Sequence, residues 1–177
     1  MNLANKITFL RIGMIPIFLI ILLTDWIGDP KRRIIALIIF ILASLTDMLD
    51  GYIARSRNQI TTLGKFMDPL ADKLLVTSAL ISLVELGDLP AWIVTIILSR
   101  EFIITGFRIV AASEGIVIAA SWWGKIKTIS QMLMIIIILL NIPSLYLLEI
   151  ILTWLAVAFT IISGVDYIVK NKQVFRN

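Results

Sequence analysis

The chain has 177 residues, 59% of them hydrophobic and 16% charged, with a mean hydropathy of +0.99; this excludes an ordinary water-soluble domain and leaves one compact membrane bundle. Cysteine and histidine are absent, which excludes disulfides, thiolate chemistry, an imidazole base and soft-metal sites. The net charge of +4 gathers at the ends of apolar runs, where it serves anionic headgroups and anionic substrates rather than nucleic acid.

About 20 apolar residues cross a hydrocarbon core of about 30 Å, and the sequence offers six such segments, an all-α six-span bundle. The first follows Arg11 and ends near Leu23, behind a short amphipathic opening from Met1 to Leu10; a turn at Gly28, Asp29 and Pro30 closes it. Lys6 and Arg11 precede it as in a signal peptide, but further spans follow and a small-residue cleavage site is lacking, so it reads as a span. The second runs from about Ile34 to Ile53, and the third from Asp68–Pro69, an N-cap and first-turn proline pattern, to Leu86. The fourth extends from Pro90 to about Ala112 with Arg100 and Glu101 in its middle. The fifth, from about Trp122 to Leu140, stops at Asn141 and Pro143, and the sixth covers Ser144 to Val169. Trp122 and Trp123 read as interfacial anchors, and Asp166 and Lys170 as a helical ion pair. Neither repeats nor low-complexity tracts occur, so residues 1–177 read as a single membrane domain.

An inner N-terminus places Lys6, Arg11, Arg55, Arg57, Lys65, Lys73, Arg108, Lys125, Lys127, Lys170, Lys172 and Arg176 on one side. The outer side keeps Lys31, Arg32 and Arg33. The positive-inside rule therefore predicts a cytoplasmic N-terminus.

Within this oily chain Asp47, Asp50, Asp68 and Asp72 flank a basic, glycine-containing connector. Residues three or four apart on a helix share a face, so the four form two acidic pairs. Each carboxylate inside a bilayer costs about 2.5–3.5 kcal/mol on insertion scales, more than Arg55 alone offsets. Oxygen donors without imidazole or thiolate suit Mg²⁺ or Mn²⁺. Two other readings stay open: aspartates paired with Arg55, Arg57, Lys65 and Lys73, or aspartates lining an ion path. At 1.5 Å per residue Asp47 lies about 20 Å from the outer end of its helix, so the polar cavity opens to the cytoplasm. The N-terminus of the third span favours anions there. Gly51, Ala54 and Gly64 are small residues suited either to close phosphate approach or to tight helix packing.

The run Asp47-x-x-Asp50-Gly51-x-x-Ala54-Arg55, eight residues, Gly64-x-x-x-Asp68-x-x-x-Asp72 resembles the full signature of the CDP-alcohol phosphatidyltransferase family, matched at all its fixed positions. The resemblance covers essentially the whole chain. It implies two divalent cations, Mg²⁺ or Mn²⁺, on Asp47, Asp50, Asp68 and Asp72, a CDP-linked lipid docked by its diphosphate, CMP as leaving group, and a homodimer. It also implies Asp72 as general base and Gly51, Ala54, Arg55 and Gly64 lining the cytidine-diphosphate site, together with Asn5 and Thr8. The chemistry agrees on the base, because without histidine a nearby carboxylate is the natural proton acceptor.

Arg100, Glu101 and Arg108 are intramembrane charges expected to face the cavity, and Lys125, Lys127 and Thr128 enter the fifth span beside it. Converging cations suit an acceptor that itself carries phosphate, although Lys125 and Lys127 also suit plain headgroup anchoring. Arg100-Glu101-Phe102, Gly106-x-Arg108 and Gly124-Lys125-x-Lys127-Thr128-x-x-Gln131 are similar to the bacterial branch that uses glycerol 3-phosphate, as are Asn5, Thr8 and Arg11. That resemblance implies CDP-diacylglycerol, glycerol 3-phosphate and membrane lipids as partners at the bacterial cytoplasmic membrane, with Arg100, Arg108, Lys125 and Lys127 on the acceptor phosphate. Serine, inositol phosphate or phosphatidylglycerol are the alternative acceptors. A divalent-cation channel or carrier is the alternative of another class.

Overall fold

Proline, glycine and asparagine punctuate the chain into helices, six of them α-helices among the described residues, and a computed structural model gives their bounds. It describes the backbone of residues 3–56, 62–113, 115, 118 and 121–172, and the side chains of 7–46, 67, 70–113, 115, 118 and 121–172. The helices are α1 (Leu3–Leu23), α2 (Asp29–Ser56), α3 (Thr62–Glu85), α4 (Ala91–Ser113), α5 (Trp122–Leu140) and α6 (Tyr146–Lys170), with a 3₁₀ turn at Pro143–Leu145. Strands are absent among the described residues. Among the described residues, two segments, Trp122–Leu140 and Pro143–Lys170, are long and apolar enough to cross a membrane, and Ile7–Leu23 is a shorter apolar helix. Large apolar side chains such as Phe102, Ile109, Leu147 and Val165 are exposed, as on a protein whose solvent is lipid.

Three bounds differ from the sequence reading. The opening segment is not a separate amphipathic element but the first turns of α1, because nothing between Leu3 and Arg11 breaks a helix. Helix α2 starts at Asp29, one residue after Gly28 adopts φ +80°, and Pro30 fits the first turn where no N–H is needed. Helix α3 starts at Thr62, so Asp68–Pro69 lies inside it rather than capping it. Proline is tolerated within membrane helices because neighbours re-satisfy the freed carbonyl.

The chain divides into two compact units, Met1–Asp88 with Leu139–Asn141, and Leu89–Ile138 with Ile142–Asn177. In the first, α1 packs along both α2 and α3. Its buried face, Thr8, Arg11, Ile15, Phe18 and Leu22, recurs every three or four residues. Phe18 meets Phe40 of α2 with ring centroids 6.3 Å apart. Small residues on the facing helices, Ala36 and Ala43 of α2 and Ala71 and Ala79 of α3, are fully buried and let the backbones approach.

One end of this unit is closed by ions. Arg33 donates to both oxygens of Asp88 at 2.6 and 3.1 Å and to Asp29 at 2.9 Å, which ties the start of α2 to the end of α3 and makes them antiparallel neighbours. Arg32 bonds Asp29 and Asp25. Burial alone raises the Asp29 carboxyl, but hydrogen bonds from Arg33 and Arg32 outweigh it and hold it below the ordinary aspartate value. A lowered carboxyl means this contribution to stability is present at neutral pH and is lost as acid protonates the group below that value. Asp88→Ala, which leaves the largely buried Arg33 with only Asp29, is expected to cost about 1–3 kcal/mol, read by thermal unfolding in detergent.

In the second unit α4 and α6 pack together. Trp92 meets Trp154 and, further along both helices, Phe107 meets Tyr167 edge-on at 5.9 Å and 78°, so the two run parallel. The α6 face is made of Thr153, Ala156, Val157, Thr160, Ser163 and Tyr167. Its hydroxyls bond back to their own helix, Thr160 to the Ala156 carbonyl at 2.6 Å and Ser163 to that of Thr160 at 3.0 Å. A self-satisfied small surface packs without unpaired polar groups. Trp123 stacks on Phe159 at 6.2 Å, so it packs α5 on α6, whereas Trp122 is 76% exposed under the Lys125 ammonium. Lys170 pairs with Asp166 at 2.7 Å, as the spacing predicts.

Candidate active site

Helix register fixes where the acidic residues lie. Asp47, Asp50, Gly51, Ala54 and Arg55 are on the last turns of α2, and Gly64, Asp68 and Asp72 on the first half of α3. The Arg33–Asp88 closure anchors the opposite ends of these antiparallel helices. At about 1.5 Å per residue, Asp47 and Asp50 stand roughly 21 and 26 Å from Arg33, and Asp72 and Asp68 roughly 24 and 30 Å from Asp88. All four thus fall within a level about 9 Å deep, well away from that closure. The side chains of Asn5, Asp47, Asp50, Gly51, Ala54, Arg55, Gly64 and Asp68 lie outside the described residues. Asp72 is described and half-buried. Among the described residues no group of three acidic ligands occurs. The start of α3 at Thr62 moves its free N–H groups to the turn carrying Gly64, six residues ahead of the expected N-cap at Asp68.

The same level is braced by a charge. Arg11 is fully buried, and its Nε donates to the Ala43 carbonyl at 3.2 Å and to Thr46 Oγ1 at 3.3 Å. Thr46, whose own hydroxyl bonds the Ala43 carbonyl at 2.6 Å, immediately precedes Asp47. The sequence places Arg11 among the inner-side charges; the structure makes it an interhelical bolt, because a guanidinium in an apolar interior must find acceptors. Thr8, one turn earlier, is 2% exposed.

The second unit holds a cavity of about 510 Å³ lined by residues of α4, α5 and α6, among them Arg100, Arg108, Lys125, Thr128 and Tyr167. Arg100, Ile104 and Arg108 recur every four residues and so present one face of α4. Glu101 accepts from Arg100 at 3.2 Å and from Lys127 Nζ. Lys127 is 3% exposed, so its ammonium is committed to Glu101 behind the cavity wall, while Arg108 and Lys125 stand exposed at it. Three of the four cations expected to hold a phosphate line this space, and the fourth is held by the carboxylate beside it.

Sequence reading missed how Arg100 is steered. A Cβ on Gly164 of α6 would stand 3.3 Å from Arg100 Cγ, and one on Gly124 of α5 would stand 3.9 Å from its Nη2. These glycines leave the channel through which the guanidinium reaches the cavity. A second, apolar hollow of about 360 Å³ lies on the other side of Arg100, between Thr95, Ile103, Ile161 and Val165.

Comparison with known proteins decides the family. The model of the CDP-alcohol phosphatidyltransferases matches residues 1–162. The chain belongs to the CDP-alcohol phosphatidyltransferase family. It is 48% identical over 189 aligned residues to the CDP-diacylglycerol–glycerol-3-phosphate 3-phosphatidyltransferase of Bacillus subtilis, covering 99% of this chain and 97% of that protein. Proteins of the same description from Rickettsia bellii and Haemophilus influenzae are each 40% identical; the first alignment covers 98% of this chain and 97% of that protein, the second 75% and 72%. This CDP-alcohol phosphatidyltransferase is therefore an enzyme of a membrane-protein family, and its apolar helices agree. In it, Gly164→Ala is expected to displace Arg100 by a few tenths of an ångström and raise the apparent KM of a phosphorylated acceptor several-fold; titrating that acceptor against CMP release reads the change.

Proposed function

We propose that the enzyme transfers the phosphatidyl group of CDP-diacylglycerol to glycerol 3-phosphate, releasing CMP and forming phosphatidylglycerophosphate. The observation that carries this acceptor is the basic cavity of α4, α5 and α6, in which, among the described residues, Arg100, Arg108 and Lys125 line one space with a single carboxylate, Glu101. Such a surplus of cations suits a phosphate monoester and gives no advantage to serine or a neutral alcohol. The relatives named above carry that substrate in their descriptions.

Asp47, Asp50, Asp68 and Asp72 would hold two divalent cations, Mg²⁺ or Mn²⁺. The donor set fits: four carboxylates at one level of α2 and α3, in a chain without histidine or cysteine. When bound, these ions supply positive charge to the diphosphate and to the negative charge that grows on its oxygens. The protein's own residues do the rest. Arg55, with the small residues Gly51, Ala54 and Gly64 and with Asn5 and Thr8, receives the cytidine diphosphate. Arg11 keeps α1 and α2 in register beside it. The basic cavity orients the acceptor by its phosphate and leaves its hydroxyl free. Asp72 takes the hydroxyl proton, the oxygen bonds to the phosphorus nearer diacylglycerol, and the bond from that phosphorus to the CMP oxygen breaks.

The whole chain acts as one domain of six spans, with the N-terminus and the site on the cytoplasmic face of a bacterial cell membrane, and pairs as a homodimer. The asymmetry of lysine and arginine supports this orientation. An acceptor panel tests the function. Purified enzyme with labelled CDP-diacylglycerol is offered glycerol 3-phosphate, serine, inositol phosphate or phosphatidylglycerol. Labelled phosphatidylglycerophosphate with the first alone is expected; turnover with another acceptor instead, or ion flux through proteoliposomes without turnover, would sink the assignment.

A further inference from the structure

We infer that Tyr167 is a substrate-binding residue of the basic cavity, its phenolic hydroxyl donating a hydrogen bond to the acceptor's phosphate; this rests on reading that cavity as the acceptor site. Tyr167 is only 4% exposed, yet its hydroxyl has no hydrogen-bond partner among the described residues. It lines the cavity together with Arg100 and Arg108. A buried hydroxyl without a partner is destabilising, because it gives up its hydrogen bonds to water and gains none. Phenylalanine would pack the same edge against Phe107 without that penalty, so packing does not account for the oxygen.

A second buried group points the same way. Arg100 Nε also lacks a partner among the described residues, while one of its terminal nitrogens is engaged by Glu101. Among the described residues that line the cavity, the buried unpartnered atoms are thus an N–H of Arg100 and the O–H of Tyr167. Both can donate. The missing partner is therefore an acceptor of hydrogen bonds, and beside the charges of Arg108 and Lys125 it is an anion. Tyr167 lies three residues past Gly164, the point where the Arg100 stem crosses α6, so the fold brings the two donors from parallel helices. The edge-on contact with Phe107 fixes the ring. A neutral donor on a rigid ring adds direction to an anion site that flexible Arg108 and Lys125 supply only with charge.

The test compares wild type with Tyr167→Phe, both full-length in lipid nanodiscs. CMP release is followed against glycerol 3-phosphate at saturating CDP-diacylglycerol, and thermal unfolding is recorded with and without inorganic phosphate. The variant is expected to raise the acceptor KM by about tenfold or more, the worth of a hydrogen bond to a charged group. Its KM for CDP-diacylglycerol should hold, its ligand-free unfolding temperature should not fall, and phosphate should stabilise it less than wild type. An unchanged acceptor KM, or both KM values rising together with a lower unfolding temperature, would overturn the inference. If wild type ignores glycerol 3-phosphate, the functional proposal fails by itself. The phosphate arm then decides on Tyr167: a smaller shift in the variant upholds its hydroxyl as an anion ligand, and equal shifts refute it. Phe107→Leu, which keeps the hydroxyl but frees the ring, should give a smaller rise in the same KM, and a wild-type KM there would contradict the positioning.

Discussion

Asp72→Asn is expected to lower kcat by about a thousandfold, within the 10²–10⁴ range for a positioned base, while CDP-diacylglycerol still binds. Asparagine keeps the size and an oxygen but cannot take the proton. Asp72 lies on α3 at the level where α2 brings Asp47 and Asp50, and it is the member of the four whose side chain is described. Single-turnover CMP release together with equilibrium binding of CDP-diacylglycerol separates the two effects. Turnover near wild type would remove Asp72 as the base. Lost lipid binding together with lost turnover would reassign it to holding the diphosphate alone.

Arg108→Ala should act on the other substrate. Arg108 is exposed at the wall of the basic cavity, one helical face with Arg100. Removing a charged, forked donor to phosphate costs about 1.5–3 kcal/mol, which is about 10–150-fold in acceptor KM. The KM for CDP-diacylglycerol should stay within about twofold. Lysine at this position should restore only part of the loss, because it keeps the charge and not the fork. Equal changes in both KM values would place Arg108 outside the acceptor site.

Much of the architecture can be read from the chain because hydrocarbon imposes simple rules. Helices α4, α5 and α6 keep nearly the bounds that Pro90, Asn141 and Pro143 announce, and the Asp47/Asp50 and Asp68/Asp72 spacings put acids on two helices before any coordinates. The misread start of α3 has a cause. Asp68–Pro69 is a capping pattern in water, but inside a membrane bundle proline continues a helix, and nothing local distinguishes the cases. The bolt made by Arg11 carries no local signal: the positive-inside rule assigns such a charge a side of the membrane, and only a neighbouring helix offers it the Ala43 carbonyl. Tyr167 and Gly164 carry no local signal either. A tyrosine near a helix end reads as an interfacial aromatic and a glycine as a packing residue, and only the parallel docking of α4 on α6 gives them Arg100 as a neighbour.

Two groups of ion pairs among the described residues stand in different places. Arg33 with Asp29 and Asp88 closes the first unit at its far end. Glu101 with Arg100 and Lys127 lies beside the basic cavity and sets how much positive charge it keeps. The first ties the ends of two helices, and the second lies at the cavity proposed to take the acceptor.

Everything depends on divalent ions resting among the four aspartates, and Mn²⁺ can be counted there directly. Electron paramagnetic resonance of detergent-purified enzyme titrated with Mn²⁺, alongside a variant carrying Asp47→Asn and Asp68→Asn, reads the number bound per chain. Two tightly bound ions in the wild type, their loss in the variant, and CMP release that stops in EDTA and returns with Mg²⁺ or Mn²⁺ are the predicted results. Full turnover in EDTA, or Mn²⁺ binding untouched by the two substitutions, would contradict the account.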